Sequence, residues 1–439
     1  MKTHYFPTKL LLLLLAMIQP VNAVTYGSKT ITSDTAISVT QLVKAVLQAN
    51  PQLEVAQATW RASIAKIEQQ SSLEDPQFQY SFAPLTVDTQ KSDGQKSDFG
   101  QRIEISQAIP FPGKLHLHGK TAEYQAESRQ QNIVTLQLLL ATSAKSLFAD
   151  WYFIHQAMTI NLQNQSLQEE FLDIAITRYS TGRASKVDVL RARKELALLK
   201  HQLIVLQRQQ TTRLAQLNTL LNRSVDAPLP IPLQLSNISE LPDLEQLKIK
   251  AMQSRPELKA MTANINVHKT QVELAALAYY PDLKLSAGYN SLWDNEDKRF
   301  NIGVGINIPL NQSKRRAAAQ QAKANNQQAH WHKIDLQARI NEDLSIAYAH
   351  VKESLHVLRL YRQQLSPLAD EELAAAKADY QAGKGDFLTL LNSKKNRLHT
   401  QLQTEQALVN VHRHFADLEQ AVGSLEPLST ADQAGSFVQ

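Results

Sequence analysis

The sequence predicts a mainly α-helical protein with a membrane β-barrel, built from a duplicated unit that supplies long helices and four barrel strands per chain. Two observations carry this prediction. Proline- and glycine-containing motifs of the first half recur in the same order roughly 200 residues later, which indicates two copies of one structural unit. Each copy also contains two segments of alternating apolar and polar residues, followed by a long segment of helical composition.

The duplication is visible in two pairs of motifs. Asn50-Pro51-Gln52-Leu53 recurs as Arg255-Pro256-Glu257-Leu258. The turn motif from Tyr179 to Gly182 recurs from Tyr380 to Gly383. Two copies of this length predict a first repeat, a second repeat and a proline-rich linker between them. We place these three units at residues 38–226, 243–423 and 227–242, respectively.

The first 23 residues have the composition of a secretory signal peptide. Two lysines accompany an apolar run, Leu10–Ile18, and small residues stand at the cleavage positions Val21-Asn22-Ala23. No later stretch looks apolar enough for a transmembrane helix. The chain has no cysteine, which excludes both disulfide bonds and a lipid-modified cysteine. We expect residues 1–23 to be removed and the tail, residues 424–439, to be flexible.

Each repeat is predicted to contain a strand hairpin, a long helix and a shorter return helix. In the first repeat, Phe78, Tyr80 and Phe82 alternate with polar residues, and Pro76 and Pro110 bound the hairpin because a proline restricts the residue before it. The predicted bounds of hairpin, long helix and return helix are 77–109, 114–178 and 186–222 in the first repeat, and 282–308, 314–379 and 386–422 in the second.

The four predicted strands have the pattern of membrane-barrel strands. Residues 300–308 show it best, because one face is wholly apolar and the other consists of glycine and asparagine. An ordinary antiparallel sheet half-buried against helices is the alternative. Four strands cannot close a barrel without leaving unpaired edges, so a barrel requires several chains to share one sheet.

The order of these elements, repeated twice, resembles the TolC-like outer-membrane efflux family over residues 38–423. Leu42 to Leu53 resembles the opening motif of that family, and Tyr179 to Leu190 resembles its helical turn. The junction from Ile109 to Lys114 is similar to that of the heavy-metal (Czc/Cus-type) efflux subgroup.

This resemblance implies a homotrimer with a 12-stranded β-barrel and a helical tunnel across the periplasm of a Gram-negative bacterium. The implied partners are outer-membrane lipid, a periplasmic adaptor (membrane fusion) protein and an inner-membrane RND-type pump. The implied function is a passive duct for small solutes, with heavy-metal cations as one candidate cargo. The outer-membrane duct of a type I protein secretion system is the alternative, and a structural periplasmic coiled coil is a rival of another class.

The resemblance also places a docking tip for the adaptor at the two helix turns, where small residues allow a close approach of a partner backbone. The implied docking residues are Tyr179, Gly182, Arg183, Ala184, Ser185, Tyr380, Gly383, Lys384 and Gly385. Asp386 and Asp188 are candidates for a periplasmic gate, since carboxylate rings select cations. Capping of the two return helices explains both aspartates equally well.

Other functions are disfavoured by residue patterns. The net charge is +5 and acids are interleaved with bases, so nucleic acid is not an expected partner. We find no catalytic constellation and no cofactor motif, and the chain is not expected to be an enzyme. Three pairs of histidines stand two residues apart, a spacing that points the side chains away from each other on a helix and disfavours metal binding. These pairs are His116/His118, His330/His332 and His412/His414.

Overall fold

The computed structural model describes residues 36–83, 100–238, 241–291 and 299–425. The predicted signal peptide, nearly all of the predicted tail, the tips of both hairpins and two linker residues lie outside this part of the chain. Within it, the two repeats follow the same order of elements.

The first repeat contains α1 (Val39–Ala49), α2 (Pro51–Ser71), β1 (Gln77–Ala83), β2 (Gly100–Ile109), α3 (Lys114–Ser180) and α4 (Lys186–Leu220). The second contains α5 (Leu244–Ser254), α6 (Pro256–Leu277), β3 (Leu283–Asn290), β4 (Phe300–Ile306), α7 (Gln312–Leu360), α8 (Ser366–Ala382) and α9 (Phe387–Val422). With its 67 residues, α3 is about 100 Å long.

The second long helix, predicted at 314–379, is not one α-helix. A π-helical segment, Tyr361–Leu365, separates α7 from α8. Pro367 lies two residues after the end of this segment, and a proline inside a helix removes one N–H donor and crowds the carbonyl one turn earlier. The wider π turn accommodates that conflict. The sequence analysis overlooked Pro367, so it missed the interruption.

The junctions between short helices are the same in both repeats. Asn50 precedes α2, and its Nδ2 donates to the last-turn carbonyl of Leu220 in α4 at 3.0 Å. Arg255 precedes α6, and its Nη1 donates to the carbonyl of Gln420 in α9 at 2.8 Å. Each short helix therefore meets the end of a return helix, and both pairs pack along α3. Unsatisfied carbonyls at a helix end explain why a donor stands at this position in each copy.

The largest apolar cluster lies at the middle of the helical part. It joins α3, α7 and α9 to α1, α5 and the linker, and Trp151 donates its indole N–H to the carbonyl of Pro230 at 3.3 Å. One helix among the described residues, α3, contains a window long and apolar enough to cross a membrane, although the sequence analysis expected none. Leu140 and Phe148 of α3 are buried in this cluster, so apolar residues of this helix have partners inside the chain.

The four strands form one antiparallel sheet in the order β1-β2-β3-β4. The register aligns apolar residues across the strands, as in the row Tyr80, Ile103, Tyr289 and Phe300. Isoleucines and phenylalanines of this face are exposed; Ile302 is 90% exposed. The other face carries glycine, serine and charged residues. In this single chain, β1 and β4 form the edges of the sheet.

Candidate functional site

The two helix turns lie together at one end of the molecule, because Arg178 connects them. Arg178 is in the last turn of α3, and its guanidinium donates to the main-chain carbonyl of Tyr380 at the end of α8. Its Cζ also lies 4.5 Å from the centroid of the Tyr380 ring, a cation–π contact. The structure thus brings the predicted docking residues of both repeats to one site, which we call the tip. The sequence analysis did not single out Arg178.

The first turn, residues 181–185, is open. Gly182 has a φ of 71°, and a Cβ built there would meet no heavy atom within 4 Å. Arg183 and Ser185 are exposed, Ala184 is partly exposed, and Tyr179 is 47% exposed. The main-chain N–H of Arg183 donates to the carbonyl of Arg178 at 2.8 Å, which closes the turn behind the glycine. All five predicted docking residues of this turn are accessible in the chain.

The second turn, residues 383–386, is more closely packed. Tyr380 is only 4% exposed, and its ring lies 5.5 Å from that of Phe387. A Cβ at Gly385 would lie 3.1 Å from Cβ of Asp379, so a larger residue there would force a displacement. Gly383 and Lys384 are exposed. The side chain of Tyr380 is part of the apolar core beneath the turn, and its place in a docking surface stays a prediction.

Both gate candidates are engaged in helix capping. Ser185 and Asp188 form a capping box at the start of α4: the hydroxyl of Ser185 accepts from the N–H of Val187 at 3.1 Å, and the carboxylate of Asp188 accepts from the N–H of Ser185 at 3.3 Å. At the start of α9 the carboxylate of Asp386 itself is the cap and accepts from the N–H of Thr389 at 2.6 Å.

The acidic residue stands at a different position in each of the two caps. Ser185 aligns with Asp386, and Asp188 aligns with Thr389, so the acid moves from the fourth position of one motif to the first position of the other. Hydrogen bonds from the main-chain N–H and the hydroxyl of Thr389 lower the pKa of Asp386. Each turn therefore keeps one carboxylate at the N-terminus of its return helix, where the helix dipole favours negative charge.

A buried polar chain crosses the helices behind the tip. Lys394 of α9 is 2% exposed and donates to Oε1 of Gln168 in α3 at 2.6 Å; Nε2 of Gln168 donates to the carbonyl of Ala192 in α4 at 3.1 Å. Burial lowers the pKa of Lys394 to about 8, although the negative charge of Glu195 acts to raise it. The sequence analysis missed Lys394, because a lysine in the run Ser393-Lys394-Lys395 looks like an ordinary surface residue.

No group of three or more histidine, cysteine, aspartate or glutamate residues within the described ranges is arranged to hold a metal ion. Two histidines of the pairs make hydrogen-bond contacts with other groups. His412 faces the main-chain oxygen of Ser236 at 2.8 Å, and His414 lies 2.6 Å from the hydroxyl of Ser354.

Comparison with known proteins supports one family. The family described as "Outer membrane efflux protein" matches residues 42–223 and 249–424. The chain is 23% identical over 396 residues to "Pyoverdine export outer membrane protein OpmQ" of Pseudomonas aeruginosa, covering 88% of this chain and 78% of that protein. It is 21% identical over 333 residues to "Cobalt-zinc-cadmium resistance protein CzcC" of Cupriavidus metallidurans, covering 73% and 78%, respectively. The chain spans 59% of the length of further relatives from Pseudomonas putida.

The fold is also known from solved structures. The outer-membrane channel OprN superposes with a TM-score of 0.75 at 19% identity, covering 88% of this chain and 90% of that one. At this level of identity the similarity concerns the fold.

Proposed function

The chain belongs to the outer membrane efflux protein family, and from this premise we propose that three copies form a passive duct that receives solutes from a periplasmic adaptor and an inner-membrane pump. As a member of that family the protein is an outer-membrane efflux channel, not an enzyme. The trimer, the two partners and the cargo are the content of the proposal.

The sheet supports a shared barrel. Its two edge strands, β1 and β4, have unpaired backbone groups in the single chain, and pairing β4 of one copy with β1 of the next removes every edge. Three copies give 12 strands, an even number within the range of outer-membrane barrels. The exposed face, which is apolar except for Gln101 and Gln107 of β2, then contacts lipid, while the glycine- and serine-rich face lines water.

The helices support the same ring. Apolar residues of α4 remain exposed on one face: Val187, Leu190, Leu198 and Ile204 lie within roughly 120° of one another at 3.6 residues per turn. Ile334, Ile346 and Val357 of α7, a helix that packs against α5, α6 and α9, are also exposed. A head-to-tail ring places the α4 face of one copy against the α7 face of the next and covers both.

The tip supports docking of a partner mainly at the first turn. Tyr179, Gly182 and Arg183 are exposed there, whereas the second turn contributes only Gly383, Lys384 and the edge of Gly385. Asp386 is exposed as well as capping, so three copies would place three carboxylates at the entrance and favour cations.

The cargo proposal is a small solute, with heavy-metal cations as the candidate that the name of CzcC suggests. The name of OpmQ points instead to export of an organic molecule. Both are compatible with a duct whose selectivity is set by the pump.

The observation that carries the proposal is the sheet with one predominantly apolar exposed face and two open edges, attached to long helices of which α3 reaches about 100 Å. The test uses a deletion strain complemented with wild type, with Arg183→Trp at the first turn and with Lys250→Trp on the exposed side of α5 as a matched control. All three are quantified in outer-membrane fractions, and their oligomeric state is measured by native mass spectrometry.

We expect deletion to sensitise cells to one class of metal or drug, and trimeric protein in all three preparations. Wild type and Lys250→Trp should restore resistance, whereas Arg183→Trp should insert normally and fail. Loss of protein export without any change in susceptibility would establish the secretion duct instead. A monomer or dimer in detergent would contradict the shared barrel.

A further inference from the structure

A cavity of about 370 Å³ lies between α3, α4 and α9, away from the tip and from the sheet. Its lining includes Asp150 of α3, Arg208, Gln209, Thr212 and Arg213 of α4, and Arg413 of α9. Asp150 lies 36 positions along α3 from Lys114, about 50 Å from the end of the strands at 1.5 Å per residue. This separation exceeds the thickness of a bilayer, so the cavity faces the aqueous part of the molecule.

The charges that line this cavity are unbalanced. Asp150 is 8% exposed and binds two arginines: Nη2 of Arg213 lies 3.2 Å from its Oδ2, and Nη2 of Arg413 contacts its Oδ1. Arg208 forms no ion pair with any residue in the part of the chain that the structure describes. Three guanidinium groups thus share one carboxylate within the lining, and Asp417, outside the lining, adds a second negative charge near Arg413. A surplus of one positive charge remains, and Arg208 is the guanidinium without an ion pair among the described residues.

Donors in the cavity are also incompletely used. Nε of Arg413 is buried and has no hydrogen-bond partner among the described residues, a situation that costs free energy in a folded protein. The side chain of Arg213 divides its donors between Asp150 and Gln216. Gln209 and Thr212 add polar atoms at the rim. The cavity therefore offers planar, charged donors from two helices to one further acceptor.

We propose that this cavity binds a small multivalent oxyanion of the phosphate or sulfate class. Guanidinium groups bind such anions through two parallel N–H bonds, a geometry that lysine cannot offer. The anion contacts Arg208 and Arg213 of the first repeat and Arg413 of the second, and so connects α4 to α9 across α3. The proposal concerns a second site and does not depend on the cargo of the duct. Arg208 lies five helical turns from Leu190 on the same side of α4, so in the proposed ring the cavity borders the neighbouring copy.

The test uses the purified full-length protein in detergent and inorganic phosphate as the probe. Binding is measured by isothermal titration calorimetry in chloride buffer at constant ionic strength, with sulfate in a second series. The variant is Arg208→Gln, which leaves the buried ion pairs of Asp150 in place. The matched control is Arg193→Gln, an exposed arginine on the same helix about 22 Å away, which also forms no ion pair within the described residues.

We expect saturable binding of phosphate to wild type and to Arg193→Gln, with an affinity at least tenfold lower for Arg208→Gln. Addition of phosphate should raise the melting temperature of wild type more than of Arg208→Gln, since a ligand that binds only the folded state stabilises it. Equal affinity in all three proteins, or no binding beyond that of chloride, would overturn the proposal. If Arg208→Gln instead weakens the oligomer and phosphate does not bind, an acidic side chain of a neighbouring copy fills the cavity.

Discussion

The turns of the two repeats have the same motif and different surroundings. Tyr179 and Tyr380 occupy equivalent positions, yet Tyr179 is 47% exposed and Tyr380 is 4% exposed. The difference continues into the return helices, where Leu190 is exposed and the aligned Leu391 is buried.

The cause of this difference is the position of α3. Arg178 at its end covers Tyr380, and Phe171 and Ala175 of α3 pack into the apolar cluster beneath the second turn. A duplicated sequence preserves the path of the chain but not the neighbours of each copy. The second turn is thereby packed against α3, and the first remains exposed.

Replacing the two tyrosines tests this difference most directly, and we expect the largest effect here. Tyr380→Ala should destabilise the tip by about 3–4 kcal/mol, as large-to-small changes in a core do, whereas Tyr179→Ala should change it by less than about 0.5 kcal/mol. The measurement is hydrogen exchange of residues 373–391 in the full-length protein. Because the hydroxyl of Tyr380 has no hydrogen-bond partner among the described residues, Tyr380→Phe should leave exchange unchanged. Equal effects of both alanine variants would remove the distinction between the turns.

The buried Lys394 predicts a pH dependence confined to the second repeat. Burial lowers the pKa of Lys394 to about 8, below the unfolded value near 10.4. Compared with the unfolded chain, the folded state therefore favours the neutral amine over the charged one. Below about pH 8 the folded protein bears the full free-energy cost of burying the charged amine. This cost disappears as the pH rises toward about 10.4. Local stability of α9 should therefore increase over this interval, by an amount on the order of 3 kcal/mol.

Lys394→Met should abolish this increase. Arg193→Met, at the aligned and exposed position of α4, should leave it intact. Glu195 and Lys395, which face Lys394, form an ion pair with each other at 2.8 Å and are present in both variants. The measurement is hydrogen exchange of residues 390–400, corrected for the intrinsic effect of pH on exchange. Protection of wild type that does not change with pH would contradict the prediction.

Removal of Arg178 should release the second turn without unfolding the core. Arg178→Ala deletes a cation–π contact and a charged hydrogen bond, and we expect a loss of about 1–2 kcal/mol in local stability around Tyr380. Arg183→Ala, in the exposed first turn, is the control and should have little effect on the same exchange rates. An unchanged second turn in Arg178→Ala would mean that its packing alone holds it.

The smallest effect concerns the cap of α9. The pKa of Asp386 is lowered by hydrogen bonds from Thr389, so its stabilising contribution is present above the unfolded value near 3.9 and is lost as the pH falls through the folded value. Exchange of the first turn of α9 should accelerate at this acidic pH. Asp386→Asn retains the cap and should remove the pH dependence.

If the carboxylate of Asp386 also gates cations, the same variant should reduce the cation selectivity of single channels in planar bilayers at neutral pH. Unchanged selectivity would mean that the carboxylate acts only as a helix cap.

Much of the fold could be predicted from the sequence, because the signals are local. Prolines 51, 76, 110 and 256 mark element boundaries, and the alternation of Phe78, Tyr80 and Phe82 marks a strand. The structure begins α3 and α4 at the predicted residues, Lys114 and Lys186. The π segment before Pro367 had an equally local signal and was overlooked.

The sequence by itself determined the duplication, the order of elements, the apolar face of each strand and the cap at each turn, since these depend on spacing along the chain. Only the tertiary structure decided that Tyr380 and Lys394 are buried while Tyr179 and Arg193 are exposed. It also decided that Arg178 joins the turns and that Arg208, Arg213 and Arg413 share one cavity. Burial and charge balance depend on residues far apart in sequence. Two aligned motifs therefore do not determine which residues pack against each of them in the folded chain.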